Sequence, residues 1–168
     1  GGPVDYFALR LKGKIRVASK GDWQFKMGSD AGARLFVGGK LVIDDDANHS
    51  FRFRAGTITL PAGDHDFEIR YMEVTNTQGL VVTWKGPDIP FEEVIPSSAF
   101  KPAAIEPPGQ QDGNGLNAYW TNSVSYANRL GQVDWTRYDT ATTVANVYWP
   151  ITAAPFYSNG PSDYFALA

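Results

Sequence analysis

Between Asp5 and Ile95 apolar and polar residues alternate with a period of two, the spacing of strands that bury one face and wet the other. Trp23, Phe25 and Met27 alternate with Gln24 and Lys26, and Phe67, Ile69 and Tyr71 alternate with Asp66, Glu68 and Arg70. Leu80, Val82 and Trp84 predict a further strand that ends at Gly86-Pro87. Leu9, Leu11, Ile15 and Val17 flank Lys12-Gly13-Lys14, which reads as strand, turn or bulge, strand. Gly38-Gly39 stands between two apolar runs as a two-residue hairpin in which both residues can take positive φ. Ile58 and Leu60 predict a short strand stopped by Pro61-Ala62-Gly63. No pattern supports a helix of three turns, and Pro96-Ser97-Ser98 suffices to cap one short turn.

The pattern then changes. Residues 101–114 are rich in Pro, Gly and Gln and predict a linker, semi-rigid at Pro107-Pro108 and flexible beyond it. Residues 115–168 form a second ordered block dense in aromatics, among them Tyr119, Trp120, Trp135, Tyr138 and Trp149. That block is too short to close a sandwich of ordinary size, so it requires another segment to pack against.

The two ends share a motif. Residues 1–10 read GGPVDYFALR and residues 159–168 read NGPSDYFALA. Asp5, Tyr6, Phe7 and Leu9 thus recur as Asp163, Tyr164, Phe165 and Leu167. A sandwich has one position for this strand, so the surplus copy is expected to pair with a neighbouring copy of the chain. This predicts a homopolymer or tandem array assembled through these eight residues.

Composition narrows the class. Hydrophobic residues make up 43% of 168 and charged residues 20%, as in an ordinary globular domain. Fourteen per cent aromatics with 17 Gly and 11 Pro favour an all-β architecture rich in turns. The net charge of −3 comes with no concentrated basic run, which argues against nucleic acid as a partner. Without cysteine, disulfides, thiolate zinc sites and a cysteine nucleophile are excluded. No apolar run approaches the ~20 residues of a membrane-spanning helix, and no signal peptide is expected at the start.

Several stretches together resemble the PA14 domain family. WQFKMGSDAGARLFVGGKLVID (Trp23–Asp44) is similar to its central strands, LPAGDHDFEIRYME (Leu60–Glu73) to a later strand, and GLVVTWKGP (Gly79–Pro87) to its last core strand. Residues 115–158 look like the family's opening segment, so its order is inverted here: later two-thirds, linker, opening third. The resemblance implies a PA14-like β-sandwich or barrel assembled from two sequence segments, as if a tandem array were cut inside one strand.

It also implies a place to look for a ligand. Lectin-like members hold calcium, and through it sugar hydroxyls, with two consecutive aspartates joined by a cis peptide. Asp30 matches the first, but Ala31 stands at the second. Calcium takes six to eight oxygens, and the missing carboxylate removes both a ligand and much of the reason for a cis bond. Asp44, Asp45 and Asp46 form another candidate calcium loop, with a solvated turn as the alternative. Asn48-His49-Ser50 matches an N-glycosylation acceptor. His49 and His65 are not at metal-ligand spacing, and His65 matches a family position that is structural. Trp120, Trp135 and Trp149 suit either sugar stacking or packing. Thr140, Thr142 and Thr143 suit an O-glycosylated patch or a plain strand edge. No nucleophile elbow, P-loop or dinucleotide fingerprint is present, so no enzyme is indicated.

The sequence thus predicts a structural repeat of an extracellular fibre or adhesin stalk. Its alternative is a carbohydrate-binding module of a cell-surface adhesin or a glycosidase.

Overall fold

The computed structural model describes residues 6–75, 77–102, 115–122, 129–144 and 147–152. Asp5, most of the expected linker and the whole second copy of the terminal motif lie outside the described residues.

Within them twelve strands follow in chain order. They are β1 (Phe7–Val17), β2 (Gly21–Asp30), β3 (Ala33–Val37), β4 (Lys40–Asp45), β5 (Arg52–Leu60) and β6 (Gly63–Glu73). Then come β7 (Gln78–Gly86), β8 (Ile89–Val94), β9 (Phe100–Pro102), β10 (Leu116–Asn122), β11 (Thr140–Val144) and β12 (Tyr148–Thr152). Two short 3-10 turns, Ser97–Ala99 and Leu130–Gln132, are the only helical pieces among the described residues. One antiparallel sheet runs β11-β10-β1-β6-β3-β4 with β9 also on β1, and the other runs β12-β7-β2-β5 with β8 also on β7.

The alternation read from the sequence fixes which face is dry. Trp23, Phe25 and Met27 of β2 and Phe67, Ile69 and Tyr71 of β6 are sealed between the sheets. Phe25 meets Phe67 at 6.3 Å, and Trp23 stacks on Trp84 at 4.9 Å. Each such side chain contributes about 1.5–3 kcal/mol on full burial. The architecture is a β-sandwich whose core draws on both ends of the described chain. From the late segment Leu116, Ala118, Trp120, Val144 and Val147 enter the same cluster as Phe7, Leu9 and Leu11.

The Gly38-Gly39 hairpin forms as read, with φ of 57° and 76° and Val37 paired to Lys40. Three readings change. The turn or bulge at Gly13 is absent, because β1 pairs with β6 without a shift from Phe7 to Val17. Gly13 faces inward in step with Leu11 and Ile15, so it continues the alternation. Its bareness serves close approach: a Cβ there would stand 2.5 Å from the Lys101 carbonyl oxygen and 2.7 Å from Leu116 Cδ2. The second change is at the start of the expected linker, where Lys101 and Pro102 pair with Lys14 and Gly13 as β9. The third is β5, which extends back to Arg52 because its partner β2 supplies a ladder as far as Ser29.

β1 is therefore paired along both edges as far as Ile15. One pairs with β6 throughout, and the other is shared between β10 (over Phe7–Lys12) and β9 (over Gly13–Ile15).

Candidate functional site

The outward face of the first sheet carries charge, and the antiparallel register decides how it is matched. Lys14 lies opposite Asp66 and bonds it at 2.9 Å, and Arg16 lies opposite Asp64 and bonds it at 2.7 Å. The next pair up the strand breaks the pattern. Lys12 lies opposite Glu68, but that carboxylate is taken diagonally by Arg10, whose Nε and Nη2 each donate at 3.1 Å. Arg70 Nε donates to the same carboxylate at 2.6 Å. Burial pushes the Glu68 carboxyl up, but the bonds from Arg10 and Arg70 outweigh it and hold it below its ordinary range. Lys12 is left without an ion pair among the described residues.

Beside Lys12 the sheet opens into a cleft of about 380 Å³. Its floor is Arg10 and Lys12 of β1 with Tyr119 and Thr121 of β10, and its wall is the turn Trp135–Tyr138. That turn is pinned at several points. Thr121 Oγ1 donates to the Arg137 carbonyl at 2.8 Å, Asp139 N donates to the Trp120 carbonyl at 2.7 Å, and Trp135 Nε1 donates to the Leu130 carbonyl at 3.0 Å. Asp134 accepts from Thr136 N at 3.0 Å and Thr136 Oγ1 at 2.6 Å. Those bonds, and then the charge of Arg137, hold its carboxyl below the usual range.

The aromatic rings at this site are ordered by one another. Tyr119 and Tyr138 meet edge to face at 5.0 Å. The Arg70 guanidinium lies over both Trp135, at 5.7 Å, and Phe36, at 5.0 Å. A second hollow of about 460 Å³ lies on the other side of Lys12, bordered by Phe36, Glu68 and Arg70. Such a surface offers ring faces, fixed cations and threonine hydroxyls to a polar ligand.

Apart from Tyr119, Trp135 and Tyr138, the residues singled out from sequence fall elsewhere. Asp30 is buried at the end of β2, its carboxylate accepting a bond from Thr77 Oγ1 at 2.8 Å and its carbonyl lying against the Tyr71 phenol. The Asp30–Ala31 peptide is cis, in contrast to the expectation attached to Ala31, whose side chain is buried. The aspartate run is tied up in ion pairs. Arg34 bridges Asp44, at 2.9 Å, and Asp46, at 3.0 Å, buried Asp45 pairs with Arg52, Arg54 and His49, and Asp46 also accepts from Leu130 N at 2.5 Å. Among the described residues no group of three His, Cys, Asp or Glu side chains is arranged to hold a metal ion. Neither Asp30 nor the Asp44–Asp46 loop belongs to such a group.

Asn48 is exposed in the loop between β4 and β5. His65 Nε2 lies 2.7 Å from the Pro61 carbonyl. Trp120 is buried against Phe7 at 5.6 Å, whereas Trp135 is half-buried and lines the cleft. Thr140, Thr142 and Thr143 sit on β11, which ends the first sheet among the described residues. In the first terminal motif Phe7 and Leu9 are buried within their own sheet, and Tyr6 is exposed.

Sequence reasoning noted Tyr119, Trp135 and Tyr138 but missed Arg10, Lys12 and Arg137, since only the β1–β10 pairing joins them. The one available signal was the density of aromatics after residue 115.

Comparisons with known proteins agree with the fold. The chain is 29% identical over 132 residues to the anti-sigma-I factor RsgI3 of Acetivibrio thermocellus, a match covering 77% of this chain and 20% of that protein. A solved anti-sigma factor domain-containing protein superposes with a TM-score of 0.57 at 29% identity, covering 67% of this chain and 38% of that one. Another, from Clostridium clariflavum, superposes with a TM-score of 0.54 at 25% identity, covering 64% and 34%. The chain therefore spans only part of each relative. The PA14 domain family model matches residues 1–98, and the chain belongs to the PA14 domain family.

Proposed function

We propose that this chain is a non-catalytic glycan-recognition module that works outside the cell, and that its binding site is the cleft between β1, β10 and the Trp135–Tyr138 turn. The observation that carries this reading is the pairing of Tyr119 with Tyr138 beside Trp135, in a cleft that also presents Thr121 and Thr136. Sugar rings bury their C–H faces on aromatic rings and satisfy their hydroxyls with such polar neighbours. Asp30 does not line the cleft, and on this reading recognition is independent of calcium. The named relatives are anti-sigma factors, and in a protein of that kind the module would report an external polysaccharide to a regulator.

Affinity electrophoresis through gels containing soluble polysaccharides tests this. At least one polymer should retard the chain, and Tyr138→Ala, at an exposed ring, should abolish the retardation while leaving the fold intact. Unchanged mobility in every polymer would sink the reading.

The terminal motif supports a second reading, association between copies of the chain. Its first copy is already seated between β6 and β10, so residues 163–168 would need an edge elsewhere, and β4 and β11 end the first sheet among the described residues. On this reading the deletion of residues 161–168 abolishes assembly and leaves a soluble monomer. Polymers that survive the deletion, or a full chain that sediments as a monomer, would exclude it.

A further inference from the structure

Resting on the reading of the cleft as the binding site, the structure assigns Asp46 as the residue that positions the cleft's aromatic wall, acting through Leu130. The segment from Arg129 to Asp139 crosses the outer face of the first sheet, and its contacts follow the order of the strands. At one end Asp46, just beyond β4, accepts from Leu130 N at 2.5 Å, and its carbonyl accepts from Arg129 Nη1 at 3.1 Å. Midway, Arg70 of β6 lies over the Trp135 ring, and Arg10 of β1 donates to the Trp135 carbonyl at 3.3 Å. Val133 and Trp135 pack there on Ala8 of β1. At the other end β10 holds the segment, by Thr121 Oγ1 to the Arg137 carbonyl and by Asp139 N to the Trp120 carbonyl. The wall of the cleft is thus a strap tied down beside β4 and again at β10.

The tie at Asp46 leads directly to the ring. The first amide of a short turn finds no acceptor within the turn, and a carboxylate supplies a charge-assisted one. Leu130, held by its N–H, accepts with its carbonyl from Val133 N at 3.2 Å and from Trp135 Nε1 at 3.0 Å. Holding Leu130 therefore holds the indole that lines the cleft. Asp46 is fixed in turn by Arg34 Nη2 at 3.0 Å and by its own N–H, which donates to Asp44 Oδ1 at 3.3 Å. Arg34 lies opposite Arg70 in the β3–β6 register, so one cross-strand pair steadies Asp46 on one side and covers Trp135 on the other. A network of this kind holds its shape only while each member keeps its partner. The aspartate run thereby serves the cleft from a distance, across 84 residues of sequence.

Hydrogen exchange, followed residue by residue by NMR on the whole chain, tests this without any ligand. In the unaltered chain the Leu130 amide and the Trp135 indole N–H should exchange through one shared opening, with protection that agrees within about threefold. Asp46→Ala should speed the exchange of both by about tenfold, as expected for the loss of a charged acceptor. The Asp139 amide, at the β10 tie, should keep its wild-type rate. Asp46→Asn keeps an acceptor oxygen while giving up the ion pair with Arg34, and should return the Trp135 indole to within about threefold of wild type. Asp64→Ala, which removes surface ion pairs outside this path, should change neither group. An indole that exchanges far faster than the Leu130 amide in the unaltered chain would overturn the assignment. So would an indole that keeps its wild-type rate when Asp46→Ala releases Leu130, since Asp46 would then serve its own turn alone. Asp46→Asn as damaging as Asp46→Ala would move the effect to the Arg34 pair and overturn it too. Failure of every polysaccharide to retard the chain, with this coupling present, would count against the glycan reading alone.

Discussion

The phenol of Tyr71 donates a hydrogen bond to Glu73 Oε2 at 2.7 Å, and both side chains are shut away from solvent. The two residues are neighbours on one face of β6, and the same phenol reaches the carbonyl of Asp30 at the end of β2. Glu73 Oε1 in turn accepts from Val74 N at 3.0 Å. Burial, and then the charge of Glu73, hold the Tyr71 hydroxyl well above its ordinary pKa, so it keeps the proton it donates. A polar cluster inside a sandwich is stable only while each member has a partner.

Removal of that hydroxyl should therefore cost more than an ordinary hydrogen bond. Tyr71→Phe is expected to lower stability by about 1–3 kcal/mol, because a buried carboxylate loses a donor. Urea unfolding measures it. A midpoint equal to wild type would mean that Glu73 is satisfied without Tyr71.

Gly13 should tolerate no side chain. Gly13→Ala places a Cβ against the Lys101 carbonyl and Leu116, and is expected to destabilise the fold by about 1–3 kcal/mol as β9 or β10 is pushed aside. Gly131→Ala, where nothing lies within 4 Å of the added atom, is the matched control and should stay close to wild type. Equal melting temperatures for the two variants would refute the close-approach account of Gly13.

Acid should weaken the sandwich partly through Asp45. Burial raises the pKa of this carboxyl, but the hydrogen bond from Arg52, the charge of His49 and the bond from Arg54 outweigh it, and the net shift is downward from 3.8. A carboxyl depressed in the folded state contributes stability that is complete above its unfolded pKa and is lost as pH falls through the folded one. Stability should accordingly decline below about pH 4, and Asp45→Asn should flatten that decline while lowering the plateau at neutral pH. A variant whose pH profile runs parallel to wild type would assign the acid sensitivity to other groups.

Calcium should leave stability alone. Asp30 accepts from Thr77 and lies against the Tyr71 phenol, Asp44 and Asp46 share Arg34, and Asp45 is held by Arg52. A ligand that binds only the native state raises its melting temperature. Scanning calorimetry in millimolar calcium and in EDTA should give the same transition, and a calcium-dependent rise would restore the aspartate site.

The strands that bury one face were legible because their alternation is strong. β2, β6 and β7 could be read from Trp23, Phe67 and Leu80 onward, and the Gly38-Gly39 hairpin from its glycines alone. β8 was not legible, since Ile89–Val94 is largely exposed and shows no dry face to read. Gly13 misled because a glycine chosen for crowding looks in sequence like a glycine chosen for a turn. The cleft was half visible. Its rings stood out by density, but its cations belong to β1 and to a turn near residue 137, and only the pairing of Arg10 with Tyr119 brings them together. A register formed between distant parts of the chain leaves no local signature.

The division of β1's second flank between β9 and β10 bears on how the molecule comes into being. Phe7 pairs with Asn122, so β1 cannot be completed until about 115 further residues have been made. At ordinary elongation rates that delay lasts on the order of 5–20 s. During it an apolar strand waits with one row of amides and carbonyls bare. Nascent chains crowded on one message are thus the setting in which this protein is most apt to mispair.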